Sequence, residues 1–94
     1  MKIELLGKSR AGEILLFVYN NGNKAYFSQI SNNIKGSTST INSGIYVLEK
    51  EGLVFEEVEN KFGGKRYIFL TEKGKKVAVH LAEIEKIMEG ENEN

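Results

Sequence analysis

The thirty residues from Ser37 to Arg66, STSTINSGIYVLEKEGLVFEEVENKFGGKR, constrain the fold more than any other stretch of the chain. At about 100° per residue, Ile41, Ile45 and Leu48 fall on one stripe of a helix, with Gly44 beside it where a crossing helix can approach closely. Ser37 is the natural cap, its hydroxyl positioned to accept from the free amide of Ser39 or Thr40, and Gly52 closes the period. Beyond Gly52, Leu53, Val54, Phe55 and Val58 alternate loosely with glutamates. Asn60 to Gly64 then turn the chain, and Arg66 to Leu70 return it as RYIFL. The pattern predicts a helix feeding directly into a hairpin with a glycine-rich, basic tip.

The outer face of that helix is unusual in composition. Ser39, Asn42, Ser43, Tyr46 and Lys50 oppose the apolar stripe, and six of the seven residues from Ser37 to Ser43 are poor helix formers. Each costs several tenths of a kcal/mol relative to Ala, whereas a purely structural surface helix would carry Glu, Lys, Arg and Gln. Something other than helix stability selects these side chains. A rod that is aliphatic on one face and small and polar on the other suits a DNA major groove, with the basic tip reaching a neighbouring phosphate or the minor groove. Asn42 is suited to adenine, Thr38 or Thr40 to a thymine methyl, and the serines to bases or phosphates. The helix has no arginine, so the bidentate contact to guanine is missing there, which leaves room for recognition through DNA shape.

Shorter elements fill the remainder. Ile14, Leu15, Phe17 and Val18 give a broad apolar stripe from Ser9 to about Asn20, ended by the turn residues Asn20-Asn21-Gly22-Asn23. Ala25-Tyr26-Phe27 reads as a stub of strand. Ser28 is expected to cap a short second helix in which Ile30 and Ile34 share a face, broken at Lys35-Gly36. Thr71 caps a last helix whose Val77, Leu81, Ile84 and Met88 repeat at the intervals of a short coiled coil. His80 lies beside that seam and is expected to be partly buried. The polar tail, residues 90–94, is expected to be disordered.

Composition narrows the function classes. A chain of 94 residues is one domain; 40% apolar and 28% charged residues are ordinary for a globular protein. Without cysteine, and with His80 the only histidine, disulfides, thiolate metal sites, zinc hydrolases and serine–histidine triads are excluded. No enzyme activity, metal or cofactor is expected, since no nucleophile with a base and no phosphate-cradling loop is present. The start, MKIELLGKSR, lacks a signal-peptide core and no run is apolar enough to span a membrane, so the expected location is cytoplasmic. Net charge is zero, yet it is segregated. Lys61, Lys65, Arg66, Lys73, Lys75 and Lys76 face only Glu72, and the last fourteen residues hold five glutamates against Lys86. That separation fits one surface that meets phosphate and another that does not, and equally fits solvated faces without a partner.

ISNNIKGSTSTINSGIYVLEKEGLV resembles the helix-turn-helix run of winged helix-turn-helix transcription regulators of the small MarR and PadR kind, including its "LEKEGLV" ending. GGKRYIFLTEKGKKVA resembles their wing and "LTEKG" motif. The turn departs by one position, with Lys35 where the family places glycine and Gly36 next. The resemblance implies an α+β winged helix-turn-helix over residues 1–89: a three-helix core, a two-stranded wing plus a short strand, and a C-terminal helix, about 72–89. It implies a regulator that binds double-stranded DNA, with Ser37, Thr38, Ser39, Thr40, Asn42, Ser43 and Tyr46 at the duplex and Lys65 and Arg66 on the wing; Lys35 and Lys61 are expected to join them, and the apolar seam of the last helix points to a homodimer. Val77, Leu81, Ile84 and Met88 are expected at the dimer interface. The competing reading is a winged helix that serves as a protein-interaction module in a larger assembly, with the wing or the recognition helix turned to protein; separately, Tyr46 has the alternative of packing against the wing. No feature marks a small-molecule effector site.

Overall fold

The computed structural model describes residues 3–59 and 64–90. An N-terminal arm, Ile3–Arg10, forms 3-10 turns broken at Lys8 and Ser9. It is followed by α1 (Ala11–Asn20), β1 (Lys24–Tyr26), α2 (Phe27–Asn33), α3 (Thr38–Lys50), β2 (Val54–Val58), β3 (Arg66–Leu70) and α4 (Glu72–Met88). The three strands form one antiparallel sheet in the order β1-β3-β2. Asn60, Lys61, Phe62, Gly63 and the tail beyond Gly90 lie outside the described residues.

The stripes seen in the sequence become the core. Ile14, Leu15 and Val18 of α1, Ile30 of α2, Ile41, Ile45 and Leu48 of α3, Leu53, and Ile68 of β3 are all buried, and no polar or charged residue is buried among those described. Burial of each such aliphatic side chain stabilises by about 1.5–3 kcal/mol. The core therefore fixes α3 through its inner face and leaves its outer face open to other demands.

Several boundaries differ from the expected ones. The first helix begins at Ala11 rather than Ser9 because Ser9 and Arg10 both adopt left-handed φ, 49° and 61°, which no α-helix accommodates. The second begins at Phe27, with Tyr26 at the cap position in place of Ser28. Gln29 Oε1 accepts from the Tyr26 amide at 2.9 Å, half of a capping box, so β1 runs straight into α2 and Ser28 is an exposed first-turn residue. Gly36 takes φ +140°, a value side-chain-bearing residues avoid; the turn is thus built on Gly36, with Lys35 exposed ahead of it.

Ser37 caps α3 as expected, its Oγ accepting from the Thr40 amide at 3.1 Å. Thr71 caps α4 through the Gly74 amide at 2.9 Å, and its hydroxyl donates to the Gly52 carbonyl at 2.6 Å. Lys73 Nζ donates to the Glu51 carbonyl at 2.9 Å, so the first turn of α4 closes the C-terminal end of α3. That is a local use for a lysine otherwise misplaced at a helix N-terminus. Ala78 is fully buried, and Val77 and Leu81 pack partly against the core. Farther along, Ile84, Ile87 and Met88 are 48%, 56% and 79% exposed. His80 is exposed, not partly buried, because two residues on from the buried Ala78 it falls on the opposite, outward face of α4.

Candidate nucleic-acid interface

Helix α3 presents its outer face between two flanking elements. Along one side lies the base of the wing: Arg66 Nε and Nη2 donate to the two Glu56 carboxylate oxygens at 2.5 and 3.1 Å, and the guanidinium sits 4.2 Å from the centre of the Phe27 ring. Alternation along β3 puts Arg66 on the same face as the buried Ile68 and Leu70. The Glu56 bond holds the Arg66 pKa above its usual range. Glu49, on this side of α3, has its carboxyl pushed up by lost solvation first and by Glu56 second, against the opposing pull of Arg66. Arg66 therefore serves two glutamates and an aromatic ring beneath the strand, with its charge largely compensated.

Lys65 is exposed, and its Nζ lies 4.9 Å from the Tyr26 ring centre. The wing base is tied by backbone and side chain together. Glu59 N–H donates to the Lys65 carbonyl at 2.9 Å, Glu59 Oε1 accepts from the Lys65 amide at 3.3 Å, and Tyr67 donates to Glu59 Oε2 at 3.0 Å. Two of the three hairpin glutamates, Glu56 and Glu59, thus have partners within the hairpin, while Glu57 is exposed on the face of β2 opposite Glu56.

Along the other side of α3 runs the N-terminal arm. A Cβ at Gly44 would stand 2.3 Å from the Ser9 carbonyl oxygen and 2.6 Å from Ile14 Cδ1, so only glycine admits the arm this close. Arm and helix enclose an open groove of about 790 Å³, walled by Leu5, Lys8 and Ser9 on the arm and by Ser39, Asn42, Ser43, Tyr46 and Val47 on α3, with Lys50 and Glu51 at its end.

The residues expected at the interface are gathered here. Lys35, Ser37, Thr38, Ser39, Ser43 and Tyr46 are exposed, and Thr40 and Asn42 are half-buried. The Thr40 hydroxyl is engaged at 3.1 Å by Ser37. Tyr46, 60% exposed, lies beneath Lys50 Nζ at 5.9 Å from the ring centre, away from the wing. Lys61 falls outside the described residues. What sequence reasoning missed is the arm. Its available signal was Gly44, which announces a close approach without naming the visitor, together with the apolar pair Leu5-Leu6.

No described helix is long and apolar enough to cross a membrane, and no cluster of metal-binding side chains occurs among the described residues.

No protein-family model matches the chain, and no curated protein does. Solved structures do. The protein AF1382 from Archaeoglobus fulgidus is similar at 33% identity over 95% of this chain and 98% of that one, with a TM-score of 0.76. A transcriptional regulator homologue from Pyrococcus horikoshii OT3 is similar at 26% identity over 98% and 92%, also with a TM-score of 0.76. The reduced form of the transcriptional regulator YodB from B. subtilis is similar at 26% over 96% and 87%, with a TM-score of 0.73. The latter two are named as a transcriptional regulator homologue and a transcriptional regulator, and all three match most of a chain with a capped central helix, a braced wing and a three-stranded antiparallel sheet. The chain belongs to the winged helix-turn-helix family of transcription regulators.

Proposed function

We propose that the protein is a homodimeric regulator that binds double-stranded DNA in a sequence-dependent manner, with α3 in the major groove and Lys65 of the wing on the backbone or in the minor groove. The observation that carries this reading is the outer face of α3. Ser39, Asn42 and Ser43 stand on a helix rigidly held by Ile41, Ile45 and Leu48, and none of the three side chains has a hydrogen-bond partner among the described residues. A helix about 10–12 Å across fits a major groove about 12 Å wide. Asn42 offers the amide that pairs with adenine N6 and N7, Thr38 a methyl for thymine, and Ser37, Ser39 and Ser43 short donors for bases or phosphates. Lys35, exposed just ahead of α3, supplies a backbone contact. Arg66 acts from beneath, holding the wing at its angle to α3 and offsetting Glu49 and Glu56, which would otherwise repel phosphate.

Dimerisation rests on the distal half of α4, where Ile84 and Met88 extend the seam of Val77 and Leu81 past the end of the core. Pairing two such helices covers them and sets two copies of α3 at successive major grooves, about 34–36 Å apart, as an inverted-repeat site requires.

A second reading, a winged helix that docks on protein, is favoured by zero net charge and by the compensation of Arg66. Titration of duplex DNA at several salt concentrations separates the two. The DNA reading predicts a log affinity that falls steeply with log salt, corresponding to roughly four to eight phosphate contacts per dimer. Absence of binding at low salt, to random duplexes and to duplexes selected from a random pool, overturns it.

A further inference from the structure

A helix lying in a major groove has a phosphate backbone on each side of it, and the wing reaches only one of them. Residue Glu49 of α3 faces the wing, coupled to Glu56 and Arg66; Gly44 and Val47 face the N-terminal arm. The arm therefore occupies the position from which the second backbone would be met. It is held there by the Ser9 carbonyl seated on Gly44 and by the Leu6 carbonyl, which lies 2.8 Å from where a Cβ on Gly12 would be.

The arm is chemically equipped for that contact. Lys8 sits in an extended break between 3-10 turns, with φ −78° and ψ 129°. It is exposed, forms no ion pair or hydrogen bond among the described residues, and lines the same groove as Ser39, Asn42 and Ser43, from the opposite wall. Its neighbour Arg10, by contrast, is paired with Glu13 at 2.9 Å. The one acidic residue of the groove, Glu51, lies at the far end beside Lys50, more than two helical turns from Ser43.

We infer that the N-terminal arm is the second flank of the DNA-binding surface, with Lys8 taking a phosphate of the backbone opposite the one met by Lys65. The inference rests on the duplex-binding function proposed above and adds a positioning contact to it. Lys8 registers α3 across the width of the groove, and the wing registers it from the other side. The contact carries no sequence information of its own, so its loss weakens all duplexes alike.

The test is a salt titration of full-length protein on one selected duplex and one random duplex, comparing Lys8→Ala, Lys8→Arg and Lys86→Ala with the parent. Lys86 is an exposed lysine on the distal half of α4. The expected result is that Lys8→Ala lowers affinity for both duplexes by the same factor and reduces the slope of log affinity against log salt by about 0.9 per protomer. Lys8→Arg and Lys86→Ala should keep the parental slope. If the parent binds and Lys8→Ala retains its slope, or Lys8→Arg loses as much as Lys8→Ala, the arm contact is wrong while the duplex-binding function stands. If the parent binds neither duplex, both fall together.

Discussion

The exposed faces of α3 and α4 are solvent-facing in the same molecule yet opposite in kind. On α3 the outer face is made of Ser39, Asn42, Ser43 and Tyr46, small or polar groups that sacrifice helix propensity. On the distal half of α4 it is made of Ile84, Ile87 and Met88, strong helix formers or aliphatics that are poorly placed in water. Neither composition is what a bare surface selects. Polar side chains without protein partners suit a polar, hydrogen-bonding ligand, whereas an uncovered aliphatic stripe suits another aliphatic stripe. The two helices are joined where Thr71 and Lys73 bind the carbonyls of Gly52 and Glu51, so that under the proposed function the dimer-forming face would orient the DNA-reading face.

The largest effect is expected at α4. Ile84→Lys with Met88→Lys should give a folded monomer whose affinity for an inverted-repeat duplex is lower by about 100-fold or more, because the second half-site no longer binds intramolecularly. Both positions are exposed in the single chain, whereas Leu81 packs partly on its own core and would confound the result. Sedimentation at tens of micromolar reads the outcome. A parent that is already monomeric, or a double variant that sediments unchanged, removes the dimer from the account.

The inner face of α3 gives the next effect. Ile45→Ala should lower unfolding free energy by about 2–5 kcal/mol in denaturant titration, as a core truncation does. Ser37→Ala removes the cap on the Thr40 amide and should cost about 1 kcal/mol by the same measurement. The smallest effect is at the wing side of α3. The Glu49 carboxyl has a folded-state pKa raised above its ordinary value, so ionisation disfavours the folded state once pH exceeds that raised value, and the penalty vanishes below the ordinary carboxylate range. Glu49→Gln should therefore be slightly more stable than the parent at neutral pH, with the difference lost in acid. A difference that grows on acidification would show the sign to be wrong.

What was legible in the sequence was mostly local. Ser37 and Thr71 announce their caps by residue type and distance from an apolar period, and Ile41, Ile45 and Leu48 announce a buried face by spacing alone. The start of α2 was legible in principle, since Gln29 stands three residues after Tyr26 in a capping-box relation, but Ser28 is the stronger cap by type and drew the boundary to itself. Arg66 was not legible. Its pairing with Glu56 depends on a strand register in which Val58 faces Arg66 and Glu56 faces Ile68, and the sequence between the strands, with Gly63 and Gly64 adjacent, specifies no one register. The arm was hidden for a related reason: its broken 3-10 turns have no periodicity, and its place beside α3 is decided by a glycine 35 residues from Ser9.

Whether the outer face of α3 reads bases is decided by Asn42→Ala. Binding by parent and variant should be measured over a set of duplexes that carry every single-base change in a selected site. The account predicts that discrimination falls by about 1–3 kcal/mol at one or two base pairs while affinity for random duplex and thermal stability stay nearly unchanged. A uniform loss across all duplexes, or an unaltered preference at every position, would contradict it.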